Sequence, residues 1–181
     1  MNLVDRSLGP LQDRWAAVRP GSEWAGAAVV VVAWGLIALS RLGGLAVDAP
    51  RALTRLTVVG VWGWLALAIA IWVVAGCVAP GHRLDVRALR VTLAVVGLAH
   101  TPIIVLASVV LIAAGALRVL GPGLVVAAVS LVVVIPLALI TGVDHVFGFG
   151  TRRAAATVLV PYVVWLAVVA LPSLDQIQHL L

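Results

Sequence analysis

Five long stretches of the chain contain no Asp, Glu, Lys or Arg, and they constrain the fold more than any other feature. They are Trp24–Ser40, Leu56–His82, Val91–Leu117, Val119–Val143 and Ala154–Leu174. A hydrocarbon layer of ~30 Å needs ~20 helical residues to cross it, and the last four runs reach that length outright. Because open strands leave backbone groups unsatisfied in lipid and the runs lack the alternation of a barrel, each run predicts a helix.

The composition excludes a water-soluble domain. Of the 181 residues, 64% are hydrophobic and 10% are charged, and the mean hydropathy is +1.20. A soluble domain carries about 25% charged residues, and its interior is too small to hide so much apolar surface. The chain is therefore predicted to be an all-α integral membrane protein, a bundle of five transmembrane helices.

The five predicted spans form one membrane domain, 24–174. They cover residues 24–47, 56–78, 91–115, 121–143 and 154–174. The first span continues past Arg41, because an arginine near a helix end can extend its charge to the interface. Residues 1–23 are predicted to be a cytoplasmic juxtamembrane segment with an amphipathic face, and residues 175–181 a short outer tail.

The arginines predict the orientation. All basic residues are arginine, and five spans place eight of them on one face: Arg6, Arg14, Arg19, Arg83, Arg87, Arg90, Arg152 and Arg153. The other face receives Arg41, Arg51, Arg55 and Arg118. Four spans would give a weaker split of seven against five. Since the cytoplasmic face carries the excess of basic residues, we expect a cytoplasmic N-terminus and an outer C-terminus in a multi-pass protein of the bacterial inner membrane.

One ionisable side chain lies deep in a predicted span. His100 is followed by Thr101 and Pro102, and these three residues form a candidate polar intramembrane site. In one interpretation the site holds a substrate, a proton or a neighbouring helix. In the other, His100 is a packing residue bonded to the carbonyl that Pro102 leaves without its donor. Pro136 and Pro161 predict further kinks in later spans.

Small residues at helical spacing indicate where helices approach closely. Ala66 and Ala70 form one such pair, and Gly97 and Thr101 form another. Small side chains let helix backbones meet in a membrane, so both pairs predict close helix contacts.

Two stretches between spans suggest a basic surface on the cytoplasmic face. The first contains Arg83, Arg87 and Arg90, and the second, Gly142–Arg153, is predicted to be a flexible loop. The second contributes Asp144, His145, Arg152 and Arg153. The combined surface is a candidate for binding a partner protein or lipid headgroups, whereas arginines scattered singly between apolar runs argue against nucleic acid.

The motifs of common enzyme classes are absent from the sequence. It has no G-x-S-x-G, H-E-x-x-H or P-loop pattern, and no carboxylate pair within a span. Asp144 and His145 supply too few ligands for zinc, and a single deep histidine lacks the second axial ligand of a b-type haem. Cys77 is the only cysteine. We therefore expect no enzyme activity, no metal and no cofactor.

Two functions remain open. The first is a non-enzymatic scaffold, accessory subunit or membrane organiser, which acts through helix packing and its basic face and associates with other membrane subunits or a second copy. The second is a small transporter or channel-like protein that uses the kinked site around His100–Pro102.

The segment Arg83–Pro172 resembles the membrane domain of the bacterial form of the Yip (Rab-interacting) family. A basic stretch, Arg87–Arg90, leads into a helix that bears Gly97 and Pro102, and a glycine-rich turn at 148–154 leads into a last helix with Pro161. The resemblance implies five spans and a cytoplasmic N-terminus. It does not imply GTPase binding, because the acidic and tyrosine motifs linked to it in eukaryotic members are missing here.

Overall fold

The chain folds into helices throughout the part that the structure describes. The structure, a computed structural model, describes residues 15, 18–41, 49–78, 84–117 and 130–178. The elements are α1 (Glu23–Arg41), α2 (Ala49–Val78), α3 (Val86–Leu98), α4 (Thr101–Leu117), a π-helical turn (Ser130–Val134), α5 (Ile135–Phe147) and α6 (Thr151–Gln178). Helices α3 and α4 are nearly continuous and are counted as one unit, and so are the π-helical turn and α5. The described residues therefore form five helical units and no strand. The all-helical prediction is confirmed.

Three helices are long and apolar enough to cross a membrane: Val58–Val78, Val86–Val109 and Thr151–Val168. Two further apolar segments, Glu23–Leu36 and Val132–Phe147, are shorter. The outer surface of α6 carries large apolar side chains, such as Val160 and Val168, that are about 60% exposed. Exposed rows of this kind suit a lipid environment, so these three helices have the length and the apolar surface that the prediction of membrane helices requires.

Several helix ends differ from the predicted bounds. Helix α2 begins at Ala49 rather than at residue 56, and α6 continues to Gln178, through positions expected to form an outer tail. Helix α3 begins at Val86 rather than at residue 91, because the Asp85 carboxylate accepts the backbone N–H of Ala88 at 2.6 Å and caps the first turn. Residues 42–47 and 121–129 of the predicted spans, and most of the segment 1–23, lie outside the described residues.

The core of the bundle surrounds α3. Helix α1 packs against α2, α3 and α4, while α2 contacts α3 and α6, and α5 contacts α3 and α6. The most deeply buried apolar side chains come from all of these neighbours and include Val30, Leu67, Ile71, Val95, Leu139 and Val158. Since three helices cover α3, its C-terminal end, where His100 follows, lies in the interior.

Glycines on one helix make room for tryptophans on the next. A β-carbon on Gly63 of α2 would lie 2.8 Å from Nε1 of Trp165 in α6. A β-carbon on Gly60 would lie 2.5 Å from Cδ1 and from Cδ2 of the Trp34 indole in α1. The two glycines are therefore the positions at which α2 receives the large side chains of its neighbours.

Candidate functional site

The predicted kink at Pro102 is a single tightened turn. Helix α3 ends at Leu98 and α4 begins at Thr101, so Ala99 and His100 form the junction. Across it the N–H of His100 donates to the Gly97 carbonyl at 3.0 Å, and the N–H of Ile103 donates to the His100 carbonyl at 3.0 Å. Bonds three residues apart wind the chain more tightly than an α-helix. Pro102 is the second residue of α4. The N–H groups of the first turn have no carbonyl partner within a helix, so the missing N–H of proline costs α4 no hydrogen bond.

Thr101 satisfies the carbonyl that Pro102 leaves free. That carbonyl belongs to Leu98, four residues before the proline, and the Thr101 hydroxyl donates to it at 2.6 Å. The expectation that His100 would take this carbonyl is wrong. The ring of His100 contacts the Val96 carbonyl instead, with Nδ1 2.8 Å from the oxygen.

His100 retains one unused acceptor. The side chain is 1% exposed, and because a carbonyl only accepts, Nδ1 carries the proton and Nε2 presents a lone pair. Nε2 has no hydrogen-bond partner among the described residues. His100 stands fourteen positions after Val86, the first residue of α3. The packing bond and the free acceptor therefore coexist in one residue.

The other two prolines behave differently from each other. Pro136 is buried as the second residue of α5, directly after the π-helical turn Ser130–Val134, which accommodates the ring by widening the preceding turn. Pro161 lies inside α6 without ending the helix. Neither has a charged residue beside it in sequence.

The two predicted basic stretches meet at one end of the bundle. An open groove of about 380 Å³ is lined there by residues of three segments, among them Arg19, Arg87 and Phe147. Leu84 also lies against Gly76, near the end of α2. We call this region, with its exposed residues Arg19, Arg87, Arg90, Arg152 and Arg153, the arginine end. Arg83 lies outside the described residues.

An ion pair that the sequence did not suggest ties α1 to α3 at the arginine end. Arg90 Nε donates to Glu23 Oε1 at 2.6 Å, and a second guanidinium nitrogen contacts the same oxygen. The Gly21 N–H donates to Glu23 Oε2 at 2.6 Å. Hydrogen bonds from the backbone of Glu23 itself, from Arg90 and from Gly21 lower the pKa of the Glu23 carboxyl. Arg90 is thereby neutralised.

The predicted flexible loop is mostly helical. Helix α5 continues to Phe147, and only residues 148–150 stand between it and α6. Gly148 adopts the left-handed conformation (φ 64°), and its N–H donates to the Asp144 carbonyl at 2.8 Å, which ends the helix. The Asp144 carboxylate also accepts the Thr151 hydroxyl at 2.9 Å and so joins α5 to α6. His145 remains exposed.

The arginine end carries more positive than negative charge. The three described carboxylates there are each engaged: Glu23 with Arg90, Asp85 with the α3 backbone, and Asp144 with Thr151. Within the described ranges, four exposed arginines have no ion pair: Arg19, Arg87, Arg152 and Arg153. This surface can bind an anion without first breaking an existing ion pair.

Comparison with known protein families, with curated proteins and with solved structures finds no match to this chain. The resemblance of Arg83–Pro172 to the Yip family therefore stays a prediction. The described residues also contain no group of three His, Cys, Asp or Glu side chains that could hold a metal ion.

Proposed function

We propose that the protein is a non-enzymatic, multi-pass scaffold, accessory subunit or organiser of the bacterial inner membrane. The observation that carries the proposal is the arginine end: four exposed, unpaired arginines at one end of an apolar bundle, among the residues that the structure describes. Basic residues accumulate on the cytoplasmic side of inner-membrane proteins, so this end faces the cytoplasm. The Yip-like pattern of residues agrees with an organising role.

Helix lengths support five spans. The 19 residues of α1 extend ~28 Å, and 130–147 extend ~27 Å, each close to the ~30 Å hydrocarbon core. Beyond the described part of each, the sequence stays free of charge for several more residues, at 42–47 and at 119–129. A fluorescent protein fused to the C-terminus should stay dark and a periplasmic phosphatase fused there should be active; the reverse result would overturn this topology.

A partner of negative charge fits the arginine end. The test is copurification from native membranes in mild detergent, with an Arg152→Gln/Arg153→Gln variant of the full chain. Arg51→Gln/Arg55→Gln is the control, since it removes the same charge at the end of α2 that is farther from the arginine end. We expect a stable partner or a second copy of the chain to copurify with the control and to be lost from the Arg152→Gln/Arg153→Gln variant. A lone monomer in every detergent, or equal retention in both variants, would overturn the proposal.

A transporter remains the second candidate because of one observation: the unpartnered Nε2 of fully buried His100 at the α3–α4 junction. Interrupted membrane helices often carry the binding site of transporters. Proton flux into proteoliposomes, followed with a pH-sensitive dye, tests it. His100→Asn keeps a donor for the Val96 carbonyl but cannot carry a proton at neutral pH, so it should abolish flux and leave the fold intact. Unchanged flux, or a loss of thermal stability alone, assigns His100 to packing.

A further inference from the structure

The groove at the arginine end combines two kinds of wall. Arg19 and Arg87 line it from two different segments, while Val91, Val146 and Phe147 supply an apolar side. Its volume of about 380 Å³ falls within the ~300–1,000 Å³ typical of small-molecule sites. A ligand that fits both walls has an anionic group and an apolar part.

The charge of the groove favours an anion. Asp85 also lines it, but its carboxylate accepts the Ala88 N–H at 2.6 Å and is occupied as the cap of α3. Two guanidinium groups against one engaged carboxylate leave a net positive site. Guanidinium groups bind phosphate oxygens through short, charge-assisted hydrogen bonds, often two at a time.

The location of the groove favours a lipid over a soluble anion. It lies where the apolar lengths of α3 and α5 end and the arginines begin, which is the boundary between acyl chains and headgroups if the arginine end faces the cytoplasm. Phe147 stacks on Phe149 at a centroid distance of 5.4 Å, so the apolar wall is braced by a second ring. A soluble phosphate would leave that wall unused.

We propose that this groove binds the headgroup of an anionic phospholipid. Arg19 and Arg87 hold the phosphate, and one acyl chain leaves along Val91, Val146 and Phe147. The inference rests on the proposed function in one respect, the placement of the arginine end at the membrane surface. It adds the identity of the bound molecule: a phospholipid without a cationic headgroup, because choline would bring a positive charge toward the two arginines.

Native mass spectrometry of the full chain in mild detergent tests the proposal, with phosphatidylglycerol as the probe and phosphatidylcholine as the neutral reference. Arg19→Gln/Arg87→Gln should weaken phosphatidylglycerol binding by about tenfold or more, since it removes both charged donors. Arg152→Gln/Arg153→Gln removes the same charge outside the groove, and it should change the affinity by less than about threefold. All four arginines are exposed, so neither variant disturbs the core.

Three results would overturn the inference. An equal loss in both variants indicates diffuse attraction to the whole arginine end, and unchanged binding in both excludes the groove. Displacement of phosphatidylglycerol by an equal concentration of inorganic phosphate indicates a site for soluble anions. The copurification test of the proposed function uses Arg152→Gln/Arg153→Gln. If that variant loses its partner but the lipid test fails, only the inference about the groove is overturned. If that variant keeps its partner but the lipid test succeeds, only the proposed function is overturned.

Discussion

Gly26 of α1 and Gly97 of α3 meet backbone to backbone. A β-carbon on Gly97 would lie 2.6 Å from the carbonyl carbon of Gly26, and one on Gly26 would lie 3.3 Å from the α-carbon of Gly97. Neither backbone can move aside as a flexible side chain would. The contact fixes how closely α1 approaches α3 just before the junction at His100.

Gly97→Ala should destabilise the protein by about 1–3 kcal/mol, because the added methyl group forces the two backbones apart. Gly35→Ala is the matched control in α1, since nothing lies within 4 Å of a β-carbon there. Alanine at that position should be neutral or stabilising by about 0.5–1 kcal/mol. Thermal unfolding in detergent measures both variants, and equal shifts in Tm would contradict the contact.

Thr101→Val should lower the stability by about 1 kcal/mol, because it leaves the Leu98 carbonyl without a donor. Thr101→Ser keeps the hydroxyl and should cost less. Pro102→Ala restores a backbone N–H to the same carbonyl, so Thr101→Val should cost less in that background than in the wild-type chain. A double-mutant cycle of unfolding free energies measures the difference, and additive effects would show that the two groups do not share the carbonyl.

The positions of the helices could be predicted from the sequence, because charged side chains are unfavourable in lipid. The absence of charged residues marked the region of every helical unit, and the three helices of membrane length fall inside predicted runs or begin a few residues before one. The bounds were less accurate because they depend on single side chains. Asp85 starts α3 early and Gly148 ends α5 late, and both are local signals that a search for caps would detect.

Contacts between residues that are distant in the sequence could not be predicted from the sequence. Gly97 was singled out as a small residue, but so was Ala66, which is exposed, and nothing marked Gly26 as the partner of Gly97. Small residues are so common in this chain that their spacing alone does not select a contact. Glu23 was likewise missed, because its partner Arg90 is 67 positions away in the sequence.

Trp64→Phe should destabilise the protein by about 1 kcal/mol. The indole N–H of Trp64 in α2 donates to the Leu93 carbonyl of α3 at 2.9 Å, and phenylalanine keeps the apolar packing but loses that bond between helices. Trp62→Phe is the control, because Trp62 is 68% exposed whereas Trp64 is 6% exposed. Unfolding followed by fluorescence of the remaining tryptophans compares the two; a larger effect at Trp62 would contradict the assigned bond.

Glu23→Gln should remove one part of the pH dependence of stability. The pKa of Glu23 is lowered in the folded chain from its ordinary value of 4.5. Its ion pair with Arg90 therefore stabilises the protein at pH values above 4.5. This contribution is lost as the pH falls through the lowered pKa, when the carboxylate takes up a proton. In thermal unfolding at neutral pH, the Tm of the wild type should therefore be higher than that of Glu23→Gln. This difference in Tm should disappear as the pH falls below 4.5.

Arg90→Gln is the matched variant for this experiment, because it removes the other partner of the same pair. At neutral pH it should lower the Tm in the same direction as Glu23→Gln, and the double variant should cost less than the sum of the two single changes. If the curves of wild type and Glu23→Gln run parallel over the whole range, the pair does not couple α1 to α3 in solution.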